Sequence, residues 1–481
     1  MRCSTNVVLV ALGLLLGTGG CNGFLTGDKL SQNPNQPASP SLPSLFVGLQ
    51  VGQFALQEGT VPMMICEWMQ QCAGINGRFV DALGRYDYDE TSNIVDWAQV
   101  YGSGGLVDER EDEALARASG DSVWLGIVKI WEALTVGTAA DQWGNIPYSQ
   151  AVSNNLTPSL DSGFVVYAAV QRLLSEAIAE FQCTAPTCAG PGILDMAFGG
   201  DRQKWAAAAH TLKARYFMHT AESLGTPAYQ AAIAEALLGI SDASGASDFK
   251  SLHTSATSER NLWAQFQFSS GFGSDLVAGK FLADFMNARS DPRRAQYFCK
   301  NALGTYGGQD YGPNQPSNTV SNFSGAGCTN RVSDGTFGQP YVTYAENELI
   351  LAEAYAATGD SLNAILHLNN ERVAAGLAAI PAPGVPMGQQ MIDSVMYEKY
   401  VALFQNIEVI MDYRRTCRPK ITPAAPAQTN FLIPDVVPGR LFYSQAERNV
   451  NPNVPLPSTQ LNAHGFRNPG DVSACPFPPP P

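Results

Sequence analysis

The most regular pattern of apolar positions lies in residues 123–143. Apolar side chains recur there at steps of three and four residues, the spacing of one helix face. The members of this face are Trp124, Ile127, Val128, Trp131 and Leu134. Three further apolar residues widen the surface: Val123, Leu125 and Ile130. Because only Lys129 and Glu132 leave a polar edge, the pattern predicts a helix buried on more than one side, at the centre of a helical protein.

Other stretches repeat the helical spacing less strongly. They predict amphipathic helices over 45–56, 93–101, 164–181 and 391–405, and a further helix that begins after Asp201 as its N-cap. Residues 341–375 predict two helices separated by Gly359 and Asp360, in the manner of a tetratricopeptide hairpin. The chain is therefore expected to be built from helix pairs.

Three segments break this pattern. Residues 64–85 mix aromatic side chains with Cys, Gly and Asn, which predicts a helix end followed by an exposed loop. Residues 251–272 are rich in aromatic side chains but have poor helical spacing. Residues 301–339 form a stretch with few charged residues that is rich in Gly, Asn and Ser, and a loop of that length in a compact domain usually carries function or is disordered.

Charge and motif content exclude several functions. The net charge is −14 and only 15% of residues are charged, which argues against nucleic acid or an anionic membrane face as a partner. No GxSxG, HExxH or Walker motif occurs, so nothing in the chain predicts an enzyme. His210 and His219 lie nine residues apart on one predicted helix, which is not a ligand spacing. They are interpreted as packing or surface histidines.

The densest run of charge is DEREDE at 108–113. Its carboxylates suit a calcium ion, but the spacing does not match an EF-hand loop and the glycine of that loop is missing. The favoured interpretation is the solvated beginning of a helix, where acidic side chains are stabilised by the macrodipole. No metal site or cofactor is predicted.

The N-terminus has the pattern of an export signal. Arg2 precedes an apolar run of about ten residues at 7–16, too short to span a bilayer. Gly19 and Gly20 then precede Cys21, which resembles a bacterial lipoprotein cleavage site with Cys21 as the lipidated residue. The alternative is an ordinary secretory signal. Residues 1–20 are thus predicted to be the signal and residues 21–43, rich in Asn, Pro and Ser, a flexible tether. No other segment is predicted to cross a membrane.

Eight cysteines follow Cys21, and an even number in an exported chain indicates disulfides. Eight cysteines allow 105 pairings. The simplest of these joins neighbours along the chain: Cys66 with Cys72, Cys183 with Cys188, Cys299 with Cys328, and Cys417 with Cys475.

Several tracts share wording with one protein family. They are NPNQP at 33–37, DQWGNIPYS at 141–149, GDRQKW at 200–205, YAENELILAEA at 344–354, YEKYVALF at 397–404, DYRRT at 412–416 and RLFYSQAE at 440–447. In this order they resemble the SusD/RagB family, in its branch of nutrient-binding lipoproteins. Ser444 stands where the family's last tract has proline.

The resemblance implies a mainly α fold. Tetratricopeptide-like helix pairs would form a right-handed helical scaffold with long loops and a few short strands, as one ligand-binding domain over 44–481. It implies a non-enzymatic, lipid-anchored protein on the outer surface of the outer membrane. Such a protein would bind a nutrient, an oligosaccharide above all, and deliver it to a SusC-like TonB-dependent barrel.

A neutral oligosaccharide is held by stacking its ring faces on aromatic side chains, while amides satisfy its hydroxyls. The segments 64–97 and 253–272 supply that chemistry. The predicted ligand contacts are Trp68, Asn76, Arg78, Trp97, Trp263 and Phe266. Core packing is the alternative for each aromatic residue. Four other tryptophans are assigned to the core: Trp124, Trp131, Trp143 and Trp205. Three other functions stay open: a peptide receptor of the RagB kind, a helical-repeat scaffold that binds only proteins, and a surface glycanase.

Overall fold

The computed structural model describes most of the chain. The described residues are 40–80, 83–102, 104–269, 273, 275–311, 315–381, 384–424, 437–461 and 475. Contacts divide the chain into two units, Met1–Leu45 and Phe46–Pro481. Cys21 and the tract at 33–37 lie outside the described residues, as does Arg78 beyond its backbone.

The described chain is mainly helical. In order, its α-helices are α1 Leu42–Glu58, α2 Thr60–Trp68, α3 Ile94–Tyr101, α4 Leu106–Ser119, α5 Ser122–Trp143, α6 Gly163–Glu180, α7 Arg202–His219, α8 Ala221–Leu224, α9 Thr226–Ala236, α10 Leu262–Phe268, α11 Lys280–Ala288, α12 Arg294–Tyr297, α13 Tyr344–Ala357, α14 Ser361–Ala374, α15 Gln389–Ala402, α16 Val409–Thr416, α17 Gln445–Val450 and α18 Pro457–Leu461. Three 3₁₀ turns occupy Gly77–Phe79, Gly192–Leu194 and Ser317–Thr319. The predicted mainly α fold is confirmed.

Helix α5 is the centre of the second unit, as its sequence pattern predicts. All its residues after Ser122 are buried, and its neighbours include α4, α6 and α7. Asp121 caps its first turn by accepting a hydrogen bond from the backbone N–H of Trp124 at 3.0 Å. Gly137 lets α7 approach, since a Cβ there would lie 2.1 Å from the Tyr216 hydroxyl. By length and composition α5 could cross a membrane, contrary to the expectation above, but here protein covers it on every side.

Antiparallel helix pairs flank this centre. Helices α13 and α14 form the predicted hairpin, and their small residues Ala352 and Ala364 allow close packing. Leu349, Leu368 and Val395 complete the apolar contact that joins this hairpin to α15. Helices α7 and α9 pack in the same way against the other side of α13. Asp201 caps α7 as predicted. Its side chain accepts hydrogen bonds from the N–H groups of Gln203 and Lys204.

Strands are short in the part of the chain that the structure describes. Strand β1, Cys72–Gly74, pairs antiparallel with β3, Leu276–Ala278, so that Cys72 lies opposite Ala278. Strand β2, Phe249–Lys250, pairs antiparallel with β4, Pro340–Val342. Each pairing joins two loop regions that are about a hundred or more residues apart. The first brings together the two aromatic segments that the sequence marks as ligand-binding.

The acidic run at 108–113 differs from its prediction. It lies in a helix, as expected, but Glu109 and Asp112 are fully buried rather than solvated. Glu109 accepts a hydrogen bond from the Thr135 hydroxyl of α5. Burial raises the pKa of Asp112 to about 8, so this side chain is largely protonated at neutral pH. The prediction of a solvated run was wrong for these two residues, because closely spaced charged side chains ordinarily face solvent.

The structure joins the cysteines in neighbouring pairs. The bonds are Cys66–Cys72, Cys183–Cys188, Cys299–Cys328 and Cys417–Cys475. The first fixes the end of α2 to β1, next to the aromatic segment at 75–79. The third closes a loop of 29 residues, and the second a loop of only 5.

The loop lengths predict unequal contributions to stability. A cross-link restricts the unfolded chain more when it closes a longer loop. Replacing both Cys299 and Cys328 with serine should therefore lower the free energy of unfolding by about 1.5 kcal/mol more than replacing both Cys183 and Cys188. Urea unfolding of the two double variants measures the difference. Equal losses, or a larger loss at the short loop, would contradict this prediction.

Candidate functional site

The short helix α10 separates two surface features. Asn261 caps its start by accepting a hydrogen bond from the N–H of Trp263 at 2.9 Å. Leu262 and Gln265 line a cleft on one side, while Phe266 contacts the segment at 75–79 on the other. The sequence marks this region by its aromatic content, but the poor helical spacing of 251–272 hides a helix of seven residues.

The cleft has a volume of about 520 Å³. Its lining residues come from α1, from the turn at 193–196 and from residues 252–265: Val51, Phe54, Ala55, Ile193, Met196, Leu252, His253, Thr254, Ser258, Glu259, Arg260, Leu262 and Gln265. Val51, Ile193 and Leu252 are more than half exposed. The lining therefore combines apolar side chains with hydroxyl, amide and charged groups, the composition of a small-molecule site.

A buried carboxylate anchors the cleft. Glu58, at the end of α1, is fully buried and accepts hydrogen bonds from His253 Nε2 at 3.0 Å and from the Tyr341 hydroxyl at 2.8 Å. Its other oxygen accepts from Asn261 Nδ2 at 3.3 Å and from the N–H of Leu262. Burial lowers the pKa of His253, but the hydrogen bond and charge of Glu58 more than reverse this, so the pKa is raised overall. The ion pair between Glu58 and His253 thus joins the wall of the cleft to α1.

On the other side of α10 lies a feature that we call the ledge, made of Ile75, Asn76, Phe79 and Phe266. Phe79 is buried and supports the half-buried ring of Phe266, with 5.1 Å between ring centroids. Asn76 is exposed, and Ile75 is 39% exposed. The N–H of Ile75 donates to the carbonyl of Asp275 at 2.8 Å, which extends the β1–β3 pairing to the ledge. The ledge offers a ring, an aliphatic side chain and an amide with no charged group among its four residues.

Three predicted ligand contacts are corrected by the structure. Trp68, Trp97 and Trp263 are buried, and none is more than 4% exposed. Trp68 donates from Nε1 to the carbonyl of Leu83 at 2.8 Å, and Trp97 packs edge-on against Trp143 at 5.3 Å. These tryptophans are core residues, because surrounding protein covers almost all of their large apolar surfaces. Replacing Trp263 with alanine would therefore test packing rather than ligand contact.

The two other described candidates, Asn76 and Phe266, lie together on the ledge and stay predictions. The sequence does not identify Glu58, which lies in no local motif. It also does not identify the aliphatic residues that line the cleft, because Val51 and Ile193 resemble ordinary surface residues in the sequence. It also missed the pairing of Arg260 with Phe268, in which the guanidinium lies 5.7 Å from the ring centroid. The four tryptophans assigned to the core are all buried, as predicted.

One buried cluster has the donor atoms of a metal site. His219 Nδ1 lies 2.9 Å from Asp141 Oδ1, and His219 Nε2 lies 2.5 Å from Glu408 Oε1. Burial lowers the pKa of His219, but the two carboxylates outweigh burial and raise it to about 9. The imidazole is therefore largely protonated at neutral pH, with a carboxylate facing each ring nitrogen. The cluster acts as an ionic tie between α5, α7 and the start of α16.

The sequence of the chain matches a known protein family. A family model described as "Starch-binding associating with outer membrane", SusD-like, matches residues 34–444. The chain belongs to the SusD-like family. The resemblance inferred from the separate sequence tracts is therefore confirmed. No curated protein sequence matches the chain.

Solved structures share the fold of this SusD-like protein at low sequence identity. A chitin-binding SusD homolog from Flavobacterium johnsoniae is 19% identical, with 90% of this chain and 98% of that chain covered and a TM-score of 0.70. A SusD/RagB family protein from Bacteroides thetaiotaomicron is 18% identical, with 86% and 95% covered and a TM-score of 0.65. A Bacteroidetes SusD-like protein is 14% identical, with 90% and 100% covered and a TM-score of 0.71. At these identities the likeness establishes the fold.

Proposed function

We propose that this SusD-like protein binds a neutral oligosaccharide at the ledge and takes part in nutrient uptake without catalysis. The observation that carries the proposal is the half-buried Phe266 ring, which packs on Phe79 of the segment at 75–79, the segment that also carries the exposed amide of Asn76. A sugar ring has apolar faces and a polar edge, so it needs an aromatic surface beside a hydrogen-bonding group. Starch in the family description and chitin in the name of one relative are both neutral glycans, which supports this choice.

The cellular setting belongs to the same proposal. Family membership and the small residues before Cys21 support a lipid anchor at Cys21 and a place on the outer face of the outer membrane. The protein would then deliver its ligand to a SusC-like TonB-dependent barrel. Isolation of the native protein in mild detergent would identify the acyl group and any barrel that accompanies it.

Replacing Phe266 with alanine should weaken glycan binding about tenfold, because it removes the stacking surface of the ledge. The measurement is isothermal titration with soluble starch and with chitin oligosaccharides, at low and high salt. Binding should be insensitive to salt, since the ledge residues are uncharged. Asn76→Ala should weaken binding less, by about threefold, because it removes one hydrogen bond.

Phe285→Ala is the matched control. Phe285 is also a half-buried phenylalanine, but it stacks on Tyr397 at 5.1 Å and lies off the ledge. Its replacement should leave glycan affinity unchanged. Equal losses in the Phe266 and Phe285 variants, or binding of peptide mixtures and no glycan, would reject the proposal. Release of reducing ends from a glycan would show a catalytic function instead.

A further inference from the structure

A second cavity lies away from α10, between the turn at 243–250, the segment at 331–345 and helix α14. Its volume is about 360 Å³. Its lining includes three basic side chains, Lys250, Arg293 and Arg331, together with Glu371. The resemblance to the family gives this cavity no role, and it lies on the tetratricopeptide-like hairpin rather than beside the ledge.

Arg331 is the unusual member of this lining. Its Nε donates to Gln405 Oε1 at 2.7 Å and its Nη2 to the carbonyl of Phe404 at 2.8 Å, both uncharged acceptors. The guanidinium also lies about 5 Å from the ring centroids of Tyr297 and Phe337. Among the described residues, no carboxylate lies within 4.0 Å of it, and burial lowers its pKa. A desolvated guanidinium without a counter-ion favours an anion that can reach it.

The acidic groups nearest to the cavity do not supply that anion. Arg293 holds Glu371 Oε1 at 3.0 Å, and Glu371 Oε2 is buried with no hydrogen bond. Burial and the charge of Glu398 raise the pKa of Glu371, while the charge of Arg293 opposes that shift. Asp248 is the remaining acid of the lining, and it faces the N–H of Tyr344 at 2.8 Å. Arg293 is also paired with Asp291 at 2.8 Å and with Glu398 at 2.6 Å, so its charge is already compensated. This leaves Lys250 and Arg331 as the basic side chains of the lining with no carboxylate within 4.0 Å among the described residues.

An apolar groove continues from the cavity. It has a volume of about 600 Å³ and shares Ala243, Tyr344 and Ala374 with the cavity lining. Leu362, Leu366 and Val373 project from one face of α14 into the groove, and they are 82%, 52% and 59% exposed. Leucine and valine exposed in one row, next to a basic cavity, complement a peptide with aliphatic side chains that ends in a carboxylate.

We infer that the cavity and the groove together bind the C-terminal end of a peptide, with Arg331 holding the terminal carboxylate and α14 contacting the aliphatic side chains. Because Nε and one N–H of Nη2 already donate to Gln405 and Phe404, the donors left for a carboxylate are those on Nη1 and the second N–H of Nη2, which can form two parallel hydrogen bonds. This site is separate from the ledge, so its occupation does not depend on glycan binding.

The test uses the full chain and a fluorescein-labelled peptide, Gly-Gly-Leu-Val-Leu, with either a free carboxylate or a C-terminal amide. Fluorescence anisotropy should show binding of the free acid and binding of the amide weaker by about tenfold or more. Arg331→Gln should weaken binding of the free acid by a similar factor while leaving the amide unaffected. Arg172→Gln is the matched control, because Arg172 is an exposed arginine on α6 that pairs with Glu176. This control variant should leave the binding of both peptides unchanged.

Leu366→Asp provides a second variant, since Leu366 is exposed and its replacement does not disturb the core. This variant should weaken binding of the free acid. It therefore tests the inference if Arg331→Gln does not fold. Equal binding of acid and amide would overturn the inference, as would no binding at about 1 mM peptide. Complete displacement of the peptide by glucuronate, with no effect of Leu366→Asp, would show a site for any carboxylate and overturn the peptide assignment.

Discussion

Replacing His219 with alanine should lower the free energy of unfolding by about 3–5 kcal/mol at pH 6, the loss that follows when one partner of a buried ion pair is removed. In the native protein the imidazolium separates two buried carboxylates, those of Asp141 and Glu408. Without it, Asp141 and Glu408 lose the cation between them, although Arg215 still lies 3.7 Å from Glu408. Urea unfolding monitored by tryptophan fluorescence measures the loss.

The contribution of His219 should also depend on pH. Its pKa is about 9 in the folded protein and about 6.5 in the unfolded chain. Because the folded value is the higher one, the stabilisation is complete below about pH 6.5 and is lost as the pH rises towards 9. The difference in unfolding free energy between wild type and His219→Ala should therefore shrink by about 3 kcal/mol across that range.

His210→Ala is the matched control on the same helix. His210 pairs with Glu235 at 2.6 Å, but both side chains are partly exposed. Its replacement should cost about 1 kcal/mol or less, as for ion pairs that water reaches. Similar losses at the two positions, or a His219 contribution that does not change with pH, would show that the buried cluster is not ionised as described.

The helical framework could be predicted from sequence because it depends on local spacing. Helix α5 is apolar on nearly every side, and only a central position satisfies that pattern. The hairpin of α13 and α14 is marked by small residues on one face and by a glycine between the helices. Asp201 was predictable as a cap because its hydrogen bonds reach only residues two and three positions later.

The buried charges could not be predicted, because their partners lie far away along the chain. Glu408 is 189 residues from His219, and Tyr341 is 283 residues from Glu58. A polar residue in a helix ordinarily faces water, so the pattern gave no sign that Glu109 or Asp112 would be buried. Only the tertiary structure supplies the donors and the packing that keep such groups inside.

The sequence marked the segments that form the candidate site, but not which of their side chains are buried. Aromatic content marked the segments on both sides of the β1–β3 pairing, and the structure brings them together at Phe79 and Phe266. The sequence could not tell which aromatic side chains face outward, since α10 is too short for its spacing to show a face. The aromatic content therefore predicts Trp263 as a contact although it is fully buried, while its near neighbour Phe266 is half-buried.

Replacing Glu58 with alanine should have the second large effect, on stability and on the cleft together. The change removes the acceptor of His253, Tyr341 and Asn261, all of which are buried or nearly so. Leaving these donors without a partner should cost about 3–5 kcal/mol in unfolding free energy. Hydrogen exchange should show faster opening at residues 253–262, which Glu58 holds against α1.

Glu58→Gln separates charge from shape at the same position. Glutamine keeps one oxygen acceptor and the side-chain volume, so it should cost about half as much as alanine. His253 would lose the carboxylate that raises its pKa, and NMR titration of its imidazole should show a lower value than in wild type. If Glu58→Ala unfolds like wild type, or if the His253 titration is unchanged in Glu58→Gln, the cleft wall does not depend on this pair. The ledge does not contain Glu58, so glycan affinity should survive Glu58→Gln even where the cleft loosens, which distinguishes the role of the two surfaces beside α10.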